Sequence, residues 1–137
     1  ATTNALNTSD WVHIVFTRDV SATDLKLYID GTLTQTQTTN NSNDFLLGGI
    51  GGVPTMTFGG IACKIDEVSC YDAVLDATAV SNIYNSGTPT DLTGTSNLIA
   101  WYRNGDNDTF PTINDNVGSN NGTMTNMVAG DIVTDTP

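Results

Sequence analysis

Short strand-like stretches, each ended by turn residues, constrain the fold more than any other feature of this sequence. The first is "WVHIVFTRD" at residues 11–19, which is dominated by β-branched and aromatic residues. Such a run is typical of a strand, whose successive side chains point to opposite faces. A second stretch, "LKLYID", leads through Asp30-Gly31 into "TLTQTQTT". Because Asp-Gly favours a two-residue turn, these segments predict a hairpin.

Two adjacent acids, Asp66 and Glu67, lie within the segment "KIDEVSCYD". Ile65 and Val68 flank them three positions apart, so they do not share a face of a regular strand. The sequence therefore predicts a β-bulge at Asp66-Glu67, where one extra residue resets the alternation. The two carboxyls of a glycosidase flank one sugar, about 5–5.5 Å or about 6.5–9.5 Å apart. Neighbours on a strand point apart, so we expect these acids to be structural and the protein not to be an enzyme.

The segment "DATAVSNIYNSG" predicts the single helix of the chain. Asp76 is a natural N-cap, and Gly87 supplies a C-terminal stop. The buried stripe would consist of Val80, Ile83 and Tyr84. About eight short strands are predicted around this helix, with turn signals between them. That pattern indicates an all-β sandwich of antiparallel sheets.

The charge balance excludes several classes of partner. Only 4 Lys and Arg stand against 15 Asp and Glu, for a formal net charge of -11. Such a chain repels the phosphate backbone of nucleic acid and the anionic surface of a membrane. No apolar run is long enough for membrane insertion. Cys63 and Cys70 would lie about 23 Å apart on one strand, too far for a disulfide between them. Buried thiols and disulfides to another chain both stay open.

The order of these pieces resembles a known family. "WVHIVFTRD", "LKLYIDGT", "ACKIDEVSCYD" and "AVLDATAVSNIYNSG" follow one another as in laminin G-like and pentraxin-like domains of the concanavalin A-like lectin superfamily. The resemblance covers about Trp11 to Arg103. It implies a jelly-roll sandwich of antiparallel sheets with one short helix. Members of this superfamily usually bind glycans or proteins, and some hydrolyse polysaccharides.

One departure from the family concerns the beginning of the sandwich. Domains of this family carry several strands before the one that begins at Trp11, whereas ten residues precede it here. The sandwich is therefore expected to be incomplete in this chain or completed by another chain. Residues 1–103 would form its C-terminal part. Residues 104–137 would form a polar extension with a hairpin turn at Asn121-Gly122.

The polar end of the chain is similar to the ends of laminin G-like structural proteins of marine bacteriophages. That similarity rests on "LIAWYRNGDNDTFPTINDNVGSNNGTMTNMVAGDIVTDTP". It implies a non-enzymatic structural and binding module of a multi-subunit virion, such as a tail fibre or capsid decoration, with glycan or receptor contact. The alternative is a secreted or cell-surface bacterial lectin or adhesin that forms filaments. A polysaccharide hydrolase ranks last, because no carboxylate pair has workable spacing.

Two sets of candidate site residues follow from residue type and spacing. Aromatic side chains stack on sugars, and the candidates of that kind are Tyr28, Trp101 and Tyr102. Tyr28 is expected to be exposed, because it alternates away from an apolar face. Oxygen ligands at positions 1, 3, 5 and 12 of a loop are typical of a Ca²⁺ site. Here they are Asn104, Asp106, Asp108 and Asp115. Position 6 is Thr109 rather than Gly, so solvated turn acids are the alternative.

Overall fold

The computed structural model describes residues 9–19, 21–38, 63–133 and 137, which form short antiparallel strands and one short α-helix. The strands are β1 (Ile14–Asp19), β2 (Asp24–Ile29), β3 (Thr32–Thr38), β4 (Val68–Tyr71), β5 (Leu98–Tyr102), β6 (Thr112–Ile113) and β7 (Gly122–Thr123). The helix α1 spans Ala77–Tyr84, and 3₁₀ turns follow at Asn85–Gly87 and Ala129–Asp131. This content confirms the all-β prediction and is consistent with a concanavalin A-like sandwich. None of the described helices is long and apolar enough to cross a membrane.

The first sheet is an antiparallel meander in the order β1-β2-β3. The predicted hairpin turn at Asp30-Gly31 is confirmed, since both residues have positive φ, 48° and 71°. That conformation is the one a tight hairpin turn of matching twist requires. Between Leu27 and Tyr28 the pairing with β3 shifts by one residue. The meander thus carries a bulge that the sequence did not indicate.

Tyr28 is buried, which makes the prediction of an exposed tyrosine wrong. Its exposed fraction is 3%, and Thr17 on the paired strand is 6% exposed. Val15 pairs directly with Tyr28, so these side chains share one face of the sheet. The leucine-bearing face is the more apolar of the two, and the sequence therefore predicts it to be the interior. In the structure the buried face is instead the one that carries the Tyr28 ring.

The helix α1 begins as predicted and ends two residues earlier. Asp76 caps the first turn, because its Oδ1 accepts a hydrogen bond from the Ala79 amide over 2.8 Å. Val80 is fully buried. The left-handed residue that ends the helix is Asn85, at φ 45°, rather than Gly87. Gly87 instead closes the 3₁₀ turn that follows. Asparagine tolerates the left-handed region well enough to replace glycine at this position.

The end of α1 packs against the turn of the first sheet. The Tyr84 ring stacks on His13, with centroids 5.6 Å apart. A Cβ at Gly31 would lie 2.9 Å from Cδ1 of Tyr84. Glycine therefore serves both the turn and the close approach of the helix. This contact joins the meander to the rest of the described structure.

The second sheet pairs β4 with β5 and holds the largest buried cluster. Leu92, Leu98 and Trp101 form this cluster, with Tyr71 and Ile83 packed against it. The bulge predicted at Asp66-Glu67 is wrong, because β4 begins only at Val68. Glu67 instead turns the chain through a left-handed φ of 52°. The register irregularity of this sheet lies between Cys70 and Tyr71.

The segment after β5 packs back on that strand. The Asn116 amide donates to the Trp101 carbonyl over 2.7 Å. The short strands β6 and β7 pair through Ile113 and Gly122. The hairpin turn predicted at Asn121-Gly122 is wrong, because Gly122 already belongs to β7 and residues 114–121 make the connection. The division of the chain after residue 103 stays a prediction.

Candidate binding groove

A groove of about 380 Å³ opens between the loop that follows α1 and the end of β5. Its walls are mostly polar and come from three separate segments of the chain between residues 89 and 116. The lining residues are Pro89, Thr90, Asp91, Thr93, Trp101, Arg103 and Asn116. Small-ligand sites are usually concave, with a few fixed polar groups on mostly apolar walls; this groove has the concave form and the polar groups, but its walls are more polar. We refer to this site as the groove.

The loop wall of the groove is held at both ends. Thr90 Oγ1 donates to the Ile83 carbonyl over 3.0 Å and so fastens the loop to the last turn of α1. Asp91 Oδ1 accepts from the Thr93 amide over 2.9 Å and closes a local Asx turn. Leu92 between them is 4% exposed and belongs to the buried cluster. The loop is thus anchored by packing as well as by hydrogen bonds.

The opposite wall is built around Glu67, the only glutamate of the chain. Trp101 Nε1 donates to Glu67 Oε2 over 2.7 Å, and Arg103 Nε donates to Glu67 Oε1 over 3.1 Å. Arg103 Nη2 also lies 2.7 Å from Asp106 Oδ2. The guanidinium lies over the Trp101 ring, 5.4 Å from its centroid. One carboxylate therefore fixes both the indole and the guanidinium.

Asp66 and Glu67, the adjacent acids that were considered as a catalytic pair, belong to the framework that holds Trp101 and Arg103. Both oxygens of Glu67 accept hydrogen bonds from side chains of β5 and the residue after it. Asp66 Oδ1 accepts from the Glu67 amide over 2.8 Å. Burial raises the pKa of Asp66, and the neighbouring acids Glu67 and Asp106 add to that effect. The structural interpretation of the pair is supported by these contacts, although the bulge itself is absent.

Asp115 is a second structural carboxylate, at the outer edge of β5. It is 8% exposed, and its oxygens accept from the backbone amides of Trp101, Val117 and Asn120 over 3.1, 3.1 and 3.2 Å. Burial raises its pKa, but the backbone hydrogen bonds outweigh burial and leave the pKa below its usual value. The side chain thus takes the place of a neighbouring strand on β5.

The predicted calcium ligands are not brought together as a metal site. Asp106 pairs with Arg103, and Asp115 is surrounded by backbone amides. The two oxygens of Asp108 accept from the amides of Gly105 and Asn114 over 2.9 and 2.8 Å. Within the described ranges, no three His, Cys, Asp or Glu side chains converge on a point that could hold a metal. Calcium binding gains no support from this geometry and stays a prediction.

Of the three aromatic candidates, only Trp101 lines the groove. It is 5% exposed, and the guanidinium covers one face of its ring, so it offers an edge rather than an open stacking surface. Tyr102 lies half-buried, and its hydroxyl donates to the Asn120 carbonyl over 2.6 Å. Tyr28 is buried in the first sheet. The three aromatic residues therefore do not form one site.

Sequence reasoning missed most of the lining residues. Asp91 lies in "TPTDLT" and Asn116 in "INDNVG", two polar stretches without a motif. Arg103 ends the stretch "LIAWYR", which carries no binding motif either. Their convergence depends on the return of the chain along β5, which has no local signature. The one available signal was composition, since a polar loop directly after a capped helix is a common place for function.

Comparison with known proteins identifies the superfamily and little more. A laminin G-type family model, described as concanavalin A-like lectin/glucanases superfamily, matches residues 1–81. No curated protein and no solved structure matches the chain. The match covers β1 to β4 and ends within α1. The similarity of the polar end to bacteriophage proteins is therefore not shown, and all residues that line the groove lie beyond the matched residues.

Proposed function

The chain belongs to the concanavalin A-like lectin/glucanases superfamily, and we propose on this premise that it is a non-catalytic binding module whose groove takes a glycan. The observation that carries the proposal is the composition of the groove. It sets one carboxylate, one guanidinium and one amide around the edge of a tryptophan. Sugars present hydroxyls that both donate and accept hydrogen bonds, and these three groups complement them.

The polar groups of the groove are held in position before any ligand arrives. The side-chain nitrogen Nδ2 of Asn116 donates to the backbone carbonyls of Trp101 and Asn114 over 3.2 and 3.3 Å. Arg103 is fixed by Glu67, and Asp91 is fixed by its Asx turn. Groups that are already ordered lose little conformational entropy on binding. This preorganisation favours recognition of a small rigid ligand over a purely architectural surface.

Binding, rather than hydrolysis, is the activity we propose. Glycoside hydrolysis needs one protonated and one ionised carboxyl that flank the sugar. Asp91 lines the groove, whereas Glu67 turns both oxygens to Trp101 and Arg103. A second carboxyl at workable distance from Asp91 is not among the lining residues. The superfamily contains both lectins and glucanases, so the assignment rests on this geometry.

We further propose that the module works within a multi-subunit assembly. The support is β3, an edge strand of the described sheet whose seven residues are all exposed and carry no charge. Proteins normally protect such edges with charges, proline or a covering segment. A virion tail fibre or capsid decoration is the assembly that the sequence resemblance suggests. The alternative is a bacterial surface adhesin, for which the same groove would contact the glycan.

A glycan array followed by calorimetry tests glycan binding. Asn116→Ala removes the amide from the groove, and we expect at least a tenfold loss of affinity for any glycan that the array identifies, since lost polar contacts to a ligand cost about 1–3 kcal/mol. Asn82→Ala changes an exposed asparagine of α1 outside the groove and serves as the matched control. Thermal melts of both variants check the fold. Binding that survives Asn116→Ala unchanged would place the ligand elsewhere.

A further inference from the structure

We propose that the groove selects uncharged saccharides over sulfated or carboxylated ones, and that Asp91 is the residue that sets this preference. The inference rests on the proposed glycan-binding function and adds the chemical class of the ligand. It comes from the charges that the fold brings to the groove. These charges lie mostly beyond the residues that match the family model.

The single guanidinium that lines the groove is already neutralised. Arg103 Nε lies 3.1 Å from Glu67 Oε1, and its Nη2 lies 2.7 Å from Asp106 Oδ2. A free arginine would bind a sulfate or carboxylate with a two-pronged contact. Here Nε and Nη2 are both directed at carboxylates of the chain. A two-pronged contact uses Nη2 in either orientation of the fork, so an anionic ligand would have to share that nitrogen with Asp106 or displace it.

The wall of the groove that the loop after α1 forms carries a further negative charge. Asp91 is exposed, and hydrogen bonds from Thr93 lower its pKa, so it is ionised at neutral pH. One guanidinium thus faces the carboxylates of Glu67, Asp91 and Asp106. The chain as a whole carries a net charge of -11. Both the local and the overall field repel an anion that approaches the groove.

The same carboxylate suits a neutral sugar. Oδ1 of Asp91 accepts from the Thr93 amide, which fixes the orientation of the carboxylate. An ionised carboxylate has about four acceptor sites, so acceptor capacity remains for sugar hydroxyls. Hydrogen bonds to a charged acceptor are about twice as strong as those between neutral groups. The Asp91 carboxylate therefore both accepts hydrogen bonds from sugar hydroxyls and repels anions.

Matched sets of oligosaccharides test the preference. Each set holds one neutral backbone, its C6-oxidised uronate and its sulfate ester, printed on one array and then titrated in solution. For the wild-type protein we expect the neutral member of a set to bind at least about fivefold tighter than the charged members, the size of a unit-charge repulsion at close range in water. Affinities that favour a charged member would overturn the proposal.

The variant Asp91→Asn removes the charge and keeps an oxygen for the Thr93 amide. We expect it to lower the neutral-to-charged affinity ratio by up to about fivefold, the contribution of one unit charge at close range. Asp72→Asn removes an equivalent exposed charge outside the groove and should leave the ratio as in the wild type. A ratio that Asp91→Asn does not change would overturn the role of Asp91, whatever the absolute affinities are.

Salt provides a measurement that needs no variant. Added NaCl screens repulsion between exposed charges, because the Debye length falls from about 10 Å at 0.1 M to about 3 Å at 1 M. The wild-type ratio should therefore fall toward one at high salt, and a constant ratio would contradict repulsion as its cause. Failure of every saccharide to bind would instead overturn the proposed function itself. The two failures are thus distinguishable.

Discussion

At the scale of single residues, Glu67 determines the geometry of one wall of the groove. Its two oxygens receive the Trp101 indole and the Arg103 guanidinium, and its side chain is only 17% exposed. A left-handed φ at Glu67 aims the side chain at β5. Such a backbone conformation is uncommon for a non-glycine residue and is maintained only where side-chain contacts favour it. The residue therefore links local backbone shape to the position of the guanidinium.

Glu67→Gln is expected to destabilise the fold. Glutamine supplies one acceptor oxygen instead of two, so either the indole or the guanidinium loses its partner. Removal of a partly buried, charge-assisted acceptor costs about 1–3 kcal/mol. Urea denaturation of the variant and of Asp72→Asn, an exposed control, measures the difference. Unchanged stability together with loss of polysaccharide turnover would instead identify Glu67 as a catalytic residue.

Glu67 also illustrates which features the local sequence predicts and which it does not. The structural interpretation of the acids rested on the rule that neighbours on a strand point apart, and the contacts of Glu67 with Trp101 and Arg103 support it. The predicted bulge was wrong, since it assumed that Ile65 and Val68 lie on one strand, whereas β4 begins only at Val68. The partners of Glu67 lie 34 and 36 residues further along the chain. Nothing in the segment around the acids indicates them.

At the scale of elements, the hairpin and the helix were predictable because their signals are local. Asp30-Gly31 and the cap at Asp76 each act within a few residues. The burial of Tyr28 was not predictable, because it depends on which face of the sheet the rest of the chain covers. The groove was even less predictable than the burial of Tyr28, since Asp91 and Asn116 meet only after the chain has returned along β5. The sequence predicts individual elements such as the hairpin and the helix. It does not predict that residues from separate segments meet at the groove.

The contact between the first sheet and α1 is expected to weaken in acid. His13 stacks on Tyr84, its Nδ1 is buried, and no described group hydrogen-bonds that atom. Burial lowers the pKa of His13 below its usual 6.5, and the nearby Asp30 carboxylate offsets only part of that effect. The unfolded chain therefore takes up the proton first. The stability contribution is complete above pH 6.5 and is lost as the pH falls through the lower folded pKa.

Urea midpoints at pH 8 and pH 5.5 measure this effect. We expect the wild type to lose stability on acidification, with a slope below the limit of about 1.4 kcal/mol per pH unit that one proton sets. His13→Phe keeps a ring against Tyr84 and removes the titrating group. Because His13 is the only histidine, the variant should show a flatter profile over this range. Equal slopes for the two proteins would contradict a role for His13.

At the scale of the whole molecule, the described sheets are small and bury few large side chains. Among the described residues six apolar side chains are buried, and one of them, Val80, is completely inaccessible. Apolar residues such as Leu33 and Ile99 are 47% and 48% exposed. A domain of this size usually hides most of its apolar surface in one core. Exposed apolar side chains and an uncharged edge strand are each typical of a surface that meets another protein.

We therefore expect the chain to associate with itself in solution through the edge at β3. Light scattering after size exclusion should give a mass that is a multiple of 14.5 kDa. Gln35→Lys places a charge in the middle of β3 and should shift the protein toward the monomer, because like charges meet when two such edges pair. Thr78→Lys adds the same charge on the exposed side of α1 and should not change the mass. A wild-type protein that stays monomeric up to about 100 μM would contradict self-association through this edge.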